Sequence, residues 1–303
     1  MNTRHPSSLP ELIRPNTWLA QAWAHAQTFK HNQHTPYIGR FAPSPSGKLH
    51  QGSLITALAS YLHAHWYGGV WRVRVEDVDT SRCTHAMGEH QLRTLRTLGF
   101  QFDEPVLWQT ENFAAYRAEF ERLRAQHQVY PCTCTRSQMA QNPSAHHCAL
   151  GIDEGATIRT WRFRADNQVV TWVDEAGQTH TQTVDDFVVK RGARSSDEWA
   201  YAQAVVVDDA HQGITHVVRG TDIRASTARQ IALQKALGYP TPQYNHVPLL
   251  CNAAGEKLSK SDQAPELDAL NPVSALRHAW QFLGGNDFEC MDVTGFWKTL
   301  KTL

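Results

Sequence analysis

The sequence predicts an α/β protein in which a doubly wound parallel sheet carries an inserted α+β subdomain. Three observations support that fold class. Strand-type apolar runs alternate with helix-period stripes along most of the chain, the order that builds parallel βαβ units. A strand, a rigid turn and a helix start follow one another at 37–54. Between about 110 and 200 the pattern changes to a cysteine-bearing, β-rich segment broken by Asp-Asn and Ala-Gly turns.

Composition narrows the function classes. The 303 residues, 41% of them hydrophobic, supply a core for one large domain or two small ones. Lys+Arg and Asp+Glu stand at 29 each, so no global basic field exists and a nucleic acid would need a local patch. No apolar run approaches a membrane span, and the first forty residues lack a signal-peptide apolar region; the expectation is a soluble, cytoplasmic protein without a membrane partner. Six cysteines do not make a disulfide scaffold in a chain this long, and their clustering points to metal.

Taken in order, residues 1–36 read as an N-terminal extension, partly disordered, with helical spacing from Glu11 to Phe29 (Leu12, Trp18, Leu19, Ala22, Trp23). Tyr37 to Leu54 is the stretch the chain is organised around. Pro43 and Pro45 end its strand and stiffen its turn, Gly47 and Gly52 permit close ligand approach, and Ser53 reads as an N-cap. Leu54, Ile55, Leu58, Tyr61 and Leu62 then share one helical stripe. A helix N-terminus offers unpaired N–H groups and partial positive charge, which suits phosphate.

Gly69 to Asp77 alternates as a strand, with Trp71, Val73 and Val75 on one face, and ends in Glu76-Asp77-Val78-Asp79. That acidic cluster is either a ligand-facing sheet edge or a solvated turn. Met87, Leu92, Leu95 and Leu98 form a helical stripe closed by Gly99, and Phe113, Tyr116, Phe120 and Leu123 form another. Tyr130-Pro131-Cys132-Thr133-Cys134 followed by His146-His147-Cys148 resembles a zinc knuckle, although the spacing is that of no standard finger. Reduced surface thiols are the alternative.

Residues 156–192 are β-rich (Trp161-Arg162-Phe163, Val169-Val170, Trp172, Phe187-Val188-Val189). Strand signals follow at Ala204-Val205-Val206-Val207, ending in Asp208-Asp209, and at His216-Val217-Val218-Arg219. A helix starts near Ser226 and Thr227 and runs through Ile231, Leu233 and Leu237 to Gly238. Val247-Pro248-Leu249-Leu250 reads as one more strand, and Pro272 to Leu283 as a helix. Between them, Lys257-Leu258-Ser259-Lys260-Ser261 places two lysines three apart in a Gly/Ser loop, either a phosphate clamp or solvated surface.

As an ordered pair, two of these stretches are specific. Pro-Ser-Pro-Ser-Gly-Lys-Leu-His-Gln-Gly-Ser (43–53) resembles the HIGH signature of class I aminoacyl-tRNA synthetases, and Lys257 to Ser261 resembles their KMSKS signature. Arg40 to Gly52 is similar to the opening of the glutamate branch. So are Val75 to Asp79, Tyr201 ahead of its Val-Val-Val-Asp-Asp run, and Val218 to Asp222. The likeness covers about residues 37–285. Only 42 residues follow Ser261, too few for an anticodon-binding domain. With the cysteine cluster, this resembles the glutamyl-Q tRNA(Asp) synthetase family.

That resemblance implies a Rossmann-like class I catalytic domain at 37–110 and 200–265, an insert at 111–199 and a C-terminal helical segment at 266–303. It implies ATP-dependent activation of L-glutamate and its transfer to the queuosine base of the tRNA(Asp) anticodon, by a monomer, with Mg²⁺ accompanying ATP. The attacking carboxylate is already ionised at neutral pH, so the enzyme must supply alignment and charge stabilisation. His50, Lys260 and Lys257 fall at catalytic positions; His50, Gly52, Ser53 and Lys260 at ATP-binding ones. Arg40 and Arg219 are expected to clamp the side-chain carboxylate and Glu76 to meet the ammonium. Ser44 and Tyr201 would give neutral hydrogen bonds, with Phe41, Ala42 and Pro43 completing the glutamate site. One zinc is expected on Cys132, Cys134 and Cys148. Ser144 stands where the family's pattern has tyrosine, so either His146 or His147 substitutes or the site has lost its metal. A truncated glutamyl-tRNA synthetase, a non-catalytic RNA- or nucleotide-binding paralogue and a related nucleotidyltransferase are the competing readings.

Overall fold

Strand β1 (Ile38–Phe41) stops where Pro43 and Pro45 remove two N–H donors, and the chain turns into helix α2 (Gln51–Trp66). The computed structural model describes residues 9–32, 36–103, 105–141, 147–192, 197–250, 266–267 and 270–303. Ahead of β1 lies α1 (Trp18–Asn32), which begins after Thr17, whose Oγ1 accepts the Ala20 N–H at 3.3 Å. Residues 9–32 are not a loose extension. Leu19, Ala22 and Ala26 are buried in the main core, and Ile13 bridges to Gly285 near the other end of the chain.

After α2 come β2 (Val70–Val75), α3 (His85–Thr97) and β3 (Leu107–Trp108). β1 pairs in parallel with β2, and β2 with β3. Gly99 follows α3 at φ +82°, where a Cβ would meet Trp297 Nε1 at 2.5 Å. The expected closing glycine is thus required on two counts.

Helix α4 (Phe113–Ala125) leads into an antiparallel region: β4 (Val129–Cys132), α5 (Arg136–Gln141), β5 (Thr160–Phe163), the hairpin β6 (Gln168–Val173) and β7 (Thr179–Val184), and β8 (Phe187–Arg191). β5 pairs antiparallel with both β4 and β8. The chain then returns through α6 (Tyr201–His211), β9 (His216–Gly220), α7 (Thr227–Leu237) and β10 (Gln243–Val247), with β9 and β10 parallel. Thr215 ties β9 to β1: its N–H donates to Ile38 O at 2.9 Å, and Ile38 N–H donates to its Oγ1 at 2.8 Å. Helices α8 (Pro272–Leu283) and α9 (Val293–Leu300) complete the chain.

One apolar core joins Leu54, Leu58 and Leu62 of α2 to Val73 and Val75 of β2 and to Leu276 and Trp280 of α8. A second joins Tyr116 and Phe120 of α4 to Val205 and Val207 of α6 and Ile231 of α7. No helix among the described residues is long and apolar enough to cross a membrane.

Three expectations are corrected. Ala204 to Val207 is helix, not strand: residues 203–209 are buried on every side, and an all-buried helix shows no periodicity to separate it from a buried strand. The last parallel strand is Gln243–Val247 and ends at Pro248, rather than spanning 247–250. The N-cap of α2 is His50, not Ser53, which sits at the third helical position of a capping box.

Candidate active site

The carboxyl ends of β1, β2 and β9 converge on the N-terminus of α2, the edge where parallel sheets bind ligands. Two cavities adjoin there. The smaller, about 210 Å³, is lined by Arg40, Phe41, Ala42, Ser44, Glu76, Tyr201 and Arg219, among others. The larger, about 310 Å³, is lined by Pro43, Ser44, His50, Gly52 and Ser53 together with Asp222 and Leu250. Phe41, Ser44, Thr56 and Gly220 line both. All eight residues expected to hold glutamate therefore lie on this double cavity. A roomier cavity of about 590 Å³ between α1, α6 and α7 contains none of the expected site residues.

Buried charge is distributed unevenly around the smaller cavity. Arg40 Nε donates to Asp209 Oδ1 at 3.1 Å. Arg74 Nη1 donates to the same oxygen at 2.7 Å, and its Nη2 to Glu76 Oε1 at 3.1 Å. Asp208, 3.7 Å from Arg74 Nε, also accepts bonds from Gln109, Asn112 and Tyr116. Burial would raise Asp209, but Arg40 and Arg74 outweigh it and hold that carboxyl below its ordinary value. Burial wins at Glu76, which is raised despite Arg74 and Arg40. Tyr201 is pushed up to about 12 by burial and by Glu76.

Arg219 differs. Its Nη1 donates to Gln230 Oε1 and its Nη2 to Thr227 Oγ1, each at 2.7 Å, and its guanidinium lies 5.0 Å from the Tyr244 ring centre. Nε reaches His246 Nε2 at 3.5 Å. That imidazole is pulled down to about 3 by burial and by Arg219, so it is neutral at working pH. Among the described residues no carboxylate pairs with Arg219.

The three acidic residues after β2 divide their labour. Glu76 faces the cavity, Asp77 accepts from Thr110 N–H at 3.0 Å and Thr110 Oγ1 at 2.7 Å, and Asp79 binds Ser81 and Arg82. Only Glu76 of the three lines the double cavity.

At the larger cavity, Ser53 N–H donates to His50 Nδ1 at 3.3 Å. An imidazole accepting at Nδ1 carries its proton on Nε2, which is then a donor suited to phosphate. Gln91 Nε2 pins the turn by donating to Ser44 O at 3.2 Å and Gly47 O at 2.6 Å. Lys257 and Lys260 lie outside the described residues. The chain beyond them returns to this place: Glu266 bridges to His50 and pairs with Lys48 at 2.9 Å, and Leu267 N–H donates to Leu49 O at 3.1 Å.

The sulfurs of Cys132, Cys134 and Cys148 lie within 4.8 Å of one another, with Cys134 and Cys148 3.7 Å apart. Burial pushes the Cys134 thiol up to about 12, while hydrogen bonds from Thr133 bring Cys148 below its ordinary value against its own burial. Three converging thiols suit a soft, thiophilic cation, which would hold all of them as thiolates. His146 lies outside the described residues, and His147 is exposed.

Comparison with known proteins gives the family. The model of the catalytic domain of class I tRNA synthetases (E and Q) matches residues 38–190 and 151–271. The chain belongs to this family. A glutamyl-Q tRNA(Asp) synthetase from Aromatoleum aromaticum is 46% identical over 262 residues, 83% of this chain and 82% of that protein. One from Burkholderia cenocepacia is 47% identical over 266 residues, 82% and 88% respectively. The glutamate-tRNA synthetase structure from Elizabethkingia anophelis superposes with a TM-score of 0.67 at 25% identity. It covers 76% of this chain, which spans only about half (53%) of that longer synthetase.

For a class I synthetase fold, the sequence showed the motif residues and missed their supports. Arg74 looked like the polar face of an alternating strand. In a parallel sheet covered on both faces that face is also buried, and Arg74 became the hub of an ion network. Asp209 was hidden behind the strand reading of 204–207. Gln91, Thr227 and Gln230 carry no motif; their one signal was a polar residue on the apolar side of a helical stripe.

Proposed function

We propose that this chain activates L-glutamate with ATP and transfers it to the queuosine base of tRNA(Asp). The observation that carries the reading is the small cavity whose buried arginine, Arg219, has no carboxylate partner among the described residues. It adjoins the cavity at the helix start that carries His50. A substrate with an ammonium group and two carboxylates fits such a site. Its side-chain carboxylate would take Arg219, with Arg40, already held by Asp209, giving secondary attraction. Its ammonium would take Glu76, and Ser44 and Tyr201 would add neutral hydrogen bonds.

The α-carboxylate would then face the α-phosphate of an ATP resting on Gly52, Ser53 and the Nε2–H of His50. Attack forms the mixed anhydride and expels pyrophosphate. Lys260, aided by Lys257, would neutralise the charge that develops on the phosphates, and Mg²⁺ bound with ATP would share that task. Attack by the queuosine base on the activated carbonyl releases AMP. In this reading residues 37–110 and 200–265 form the catalytic unit, 111–199 an insert and 266–303 a helical support. The chain works as a monomer in the cytoplasm.

Cys132, Cys134 and Cys148 would hold one structural zinc, with His146 or His147 available to complete the ligand set. Metal analysis of protein purified without chelator should find one zinc per chain, falling to none when Cys134 and Cys148 are both changed to Ser. Zinc-free parent protein would contradict the assignment.

Transfer is tested with labelled glutamate, ATP and tRNA(Asp) with or without queuosine. Label appearing only on the queuosine-bearing tRNA is the expected result. Equal labelling of tRNA lacking queuosine, or of tRNA(Glu), would replace this reading with that of a charging enzyme.

A further inference from the structure

The side chains that hold Arg219 bear on how the site tells one amino acid from another. A buried guanidinium is costly unless its charge is met, and the two other buried arginines at this edge follow that rule: Arg40 and Arg74 both bond Asp209. Arg219 is equally buried, at 3% exposure like Arg40, yet both of its forward contacts are neutral oxygens. Thr227 and Gln230 stand three residues apart on α7 and therefore share one face.

Gln230 is itself buried at 2% exposure, and its Nε2 has no hydrogen-bond partner among the described residues. A glutamate at 230 would offer Arg219 the same oxygen at the same reach. It would also strand no donor, whereas a buried amide N–H without a partner is destabilising. Gln230 is thus the less satisfied of two isosteric choices. What the amide provides and a carboxylate cannot is an anchor that leaves the positive charge uncompensated.

Building on the glutamate-activating reading above, we propose that Gln230 is a specificity-determining positioning residue. It orients Arg219 through a neutral oxygen, so that the guanidinium charge can be answered only by a substrate carboxylate. Glutamine, whose amide brings no charge, then leaves that charge buried and unmet. Thr227 does the same for the second guanidinium nitrogen. Gln230 acts through Arg219 and need not touch the substrate.

The test is ATP–pyrophosphate exchange on the full chain with glutamate and with glutamine, following KM and kcat separately for Gln230→Glu and Gln230→Leu. In Gln230→Glu an internal carboxylate competes for Arg219. Glutamate KM should rise about 10- to 100-fold with kcat little changed, and the preference for glutamate over glutamine should fall by a similar factor. Gln230→Leu loses an anchor and gains no charge, so KM should rise several-fold while the preference survives. Thr227→Asp repeats the charge test from the other nitrogen should Gln230→Glu fold poorly. Unchanged glutamate KM and unchanged preference in a folded Gln230→Glu or Thr227→Asp protein would overturn the neutral anchor alone. Equal loss of preference in Gln230→Leu would also overturn it, because orientation rather than charge would then set selectivity. Absence of glutamate-dependent exchange in the unsubstituted chain would overturn the functional reading as well.

Discussion

Glu76 and Asp209 show how one buried network gives two carboxylates opposite properties. Asp209 takes a bond from each of two arginines and stays ionised, whereas among the described residues Glu76 bonds Arg74 alone and is raised by burial. A raised acid stays protonated to higher pH than usual and cannot meet an ammonium until it ionises. Glutamate affinity should therefore rise with pH through the raised Glu76 value and level off above it. Exchange assays as a function of pH should show this limb in the parent and lose it in Glu76→Gln, with KM on the upper plateau raised about tenfold or more. A limb that persists in Glu76→Gln would assign it to another group. Because an ionised Glu76 in this burial subtracts stability as pH rises, Glu76→Gln should be no less stable than the parent at neutral pH.

At the scale of the element, α2 is begun by a residue with two duties. His50 caps the helix through Nδ1 and lines the larger cavity. Asparagine also accepts from an N3 amide, so His50→Asn should keep the cap and unfold within a few degrees of the parent while losing adenylate formation. His50→Ala should lose both activity and about 1 kcal/mol of stability. Thermal unfolding of the pair separates the duties, and equal destabilisation of both would mean that capping is not what His50 contributes to stability. Elements of this kind were partly legible in the sequence. The prolines and glycines of 43–52 located the turn, and the helical stripe after it located α2. The cap was misplaced by three residues because serine is the commoner N-cap and histidine gives no such signal. The run at 204–207 was misread because burial on all sides erases the periodicity that distinguishes helix from strand, and Asp208 and Asp209 went with it.

At the scale of the molecule, the antiparallel region is strapped to the parallel one through Glu175, in the turn between β6 and β7. Its N–H donates to Tyr244 O at 3.0 Å, and its carboxylate lies 2.8 Å from His63 Nε2 of α2, accepts from Tyr67 and takes the Asn245 amide at 2.6 Å. Burial would raise this carboxyl, but His63, Tyr67 and Asn245 together lower it to about 2. Its stabilising effect is present above the ordinary carboxylate range and disappears as pH falls through that range toward about 2. Denaturant titration at pH 7 should find Glu175→Gln less stable by about 3 kcal/mol, a gap that narrows as both proteins are acidified. No gap at pH 7 would show the strap to be dispensable. Nothing in the sequence marked Glu175. It sits in an Asp-Glu-Ala-Gly turn that looks solvated, and only the tertiary fold brings α2 and β10 to it.

Selection of glutamate for adenylation by the Arg219 cavity is tested by glutamate-dependent ATP–pyrophosphate exchange in the parent and in Arg219→Leu. The expected result is exchange in the parent and none in Arg219→Leu, whose unfolding midpoint stays close to the parent's because removing a buried charge that no carboxylate meets offsets the bonds lost by Thr227 and Gln230. Undiminished exchange in Arg219→Leu would show that this arginine does not select the substrate.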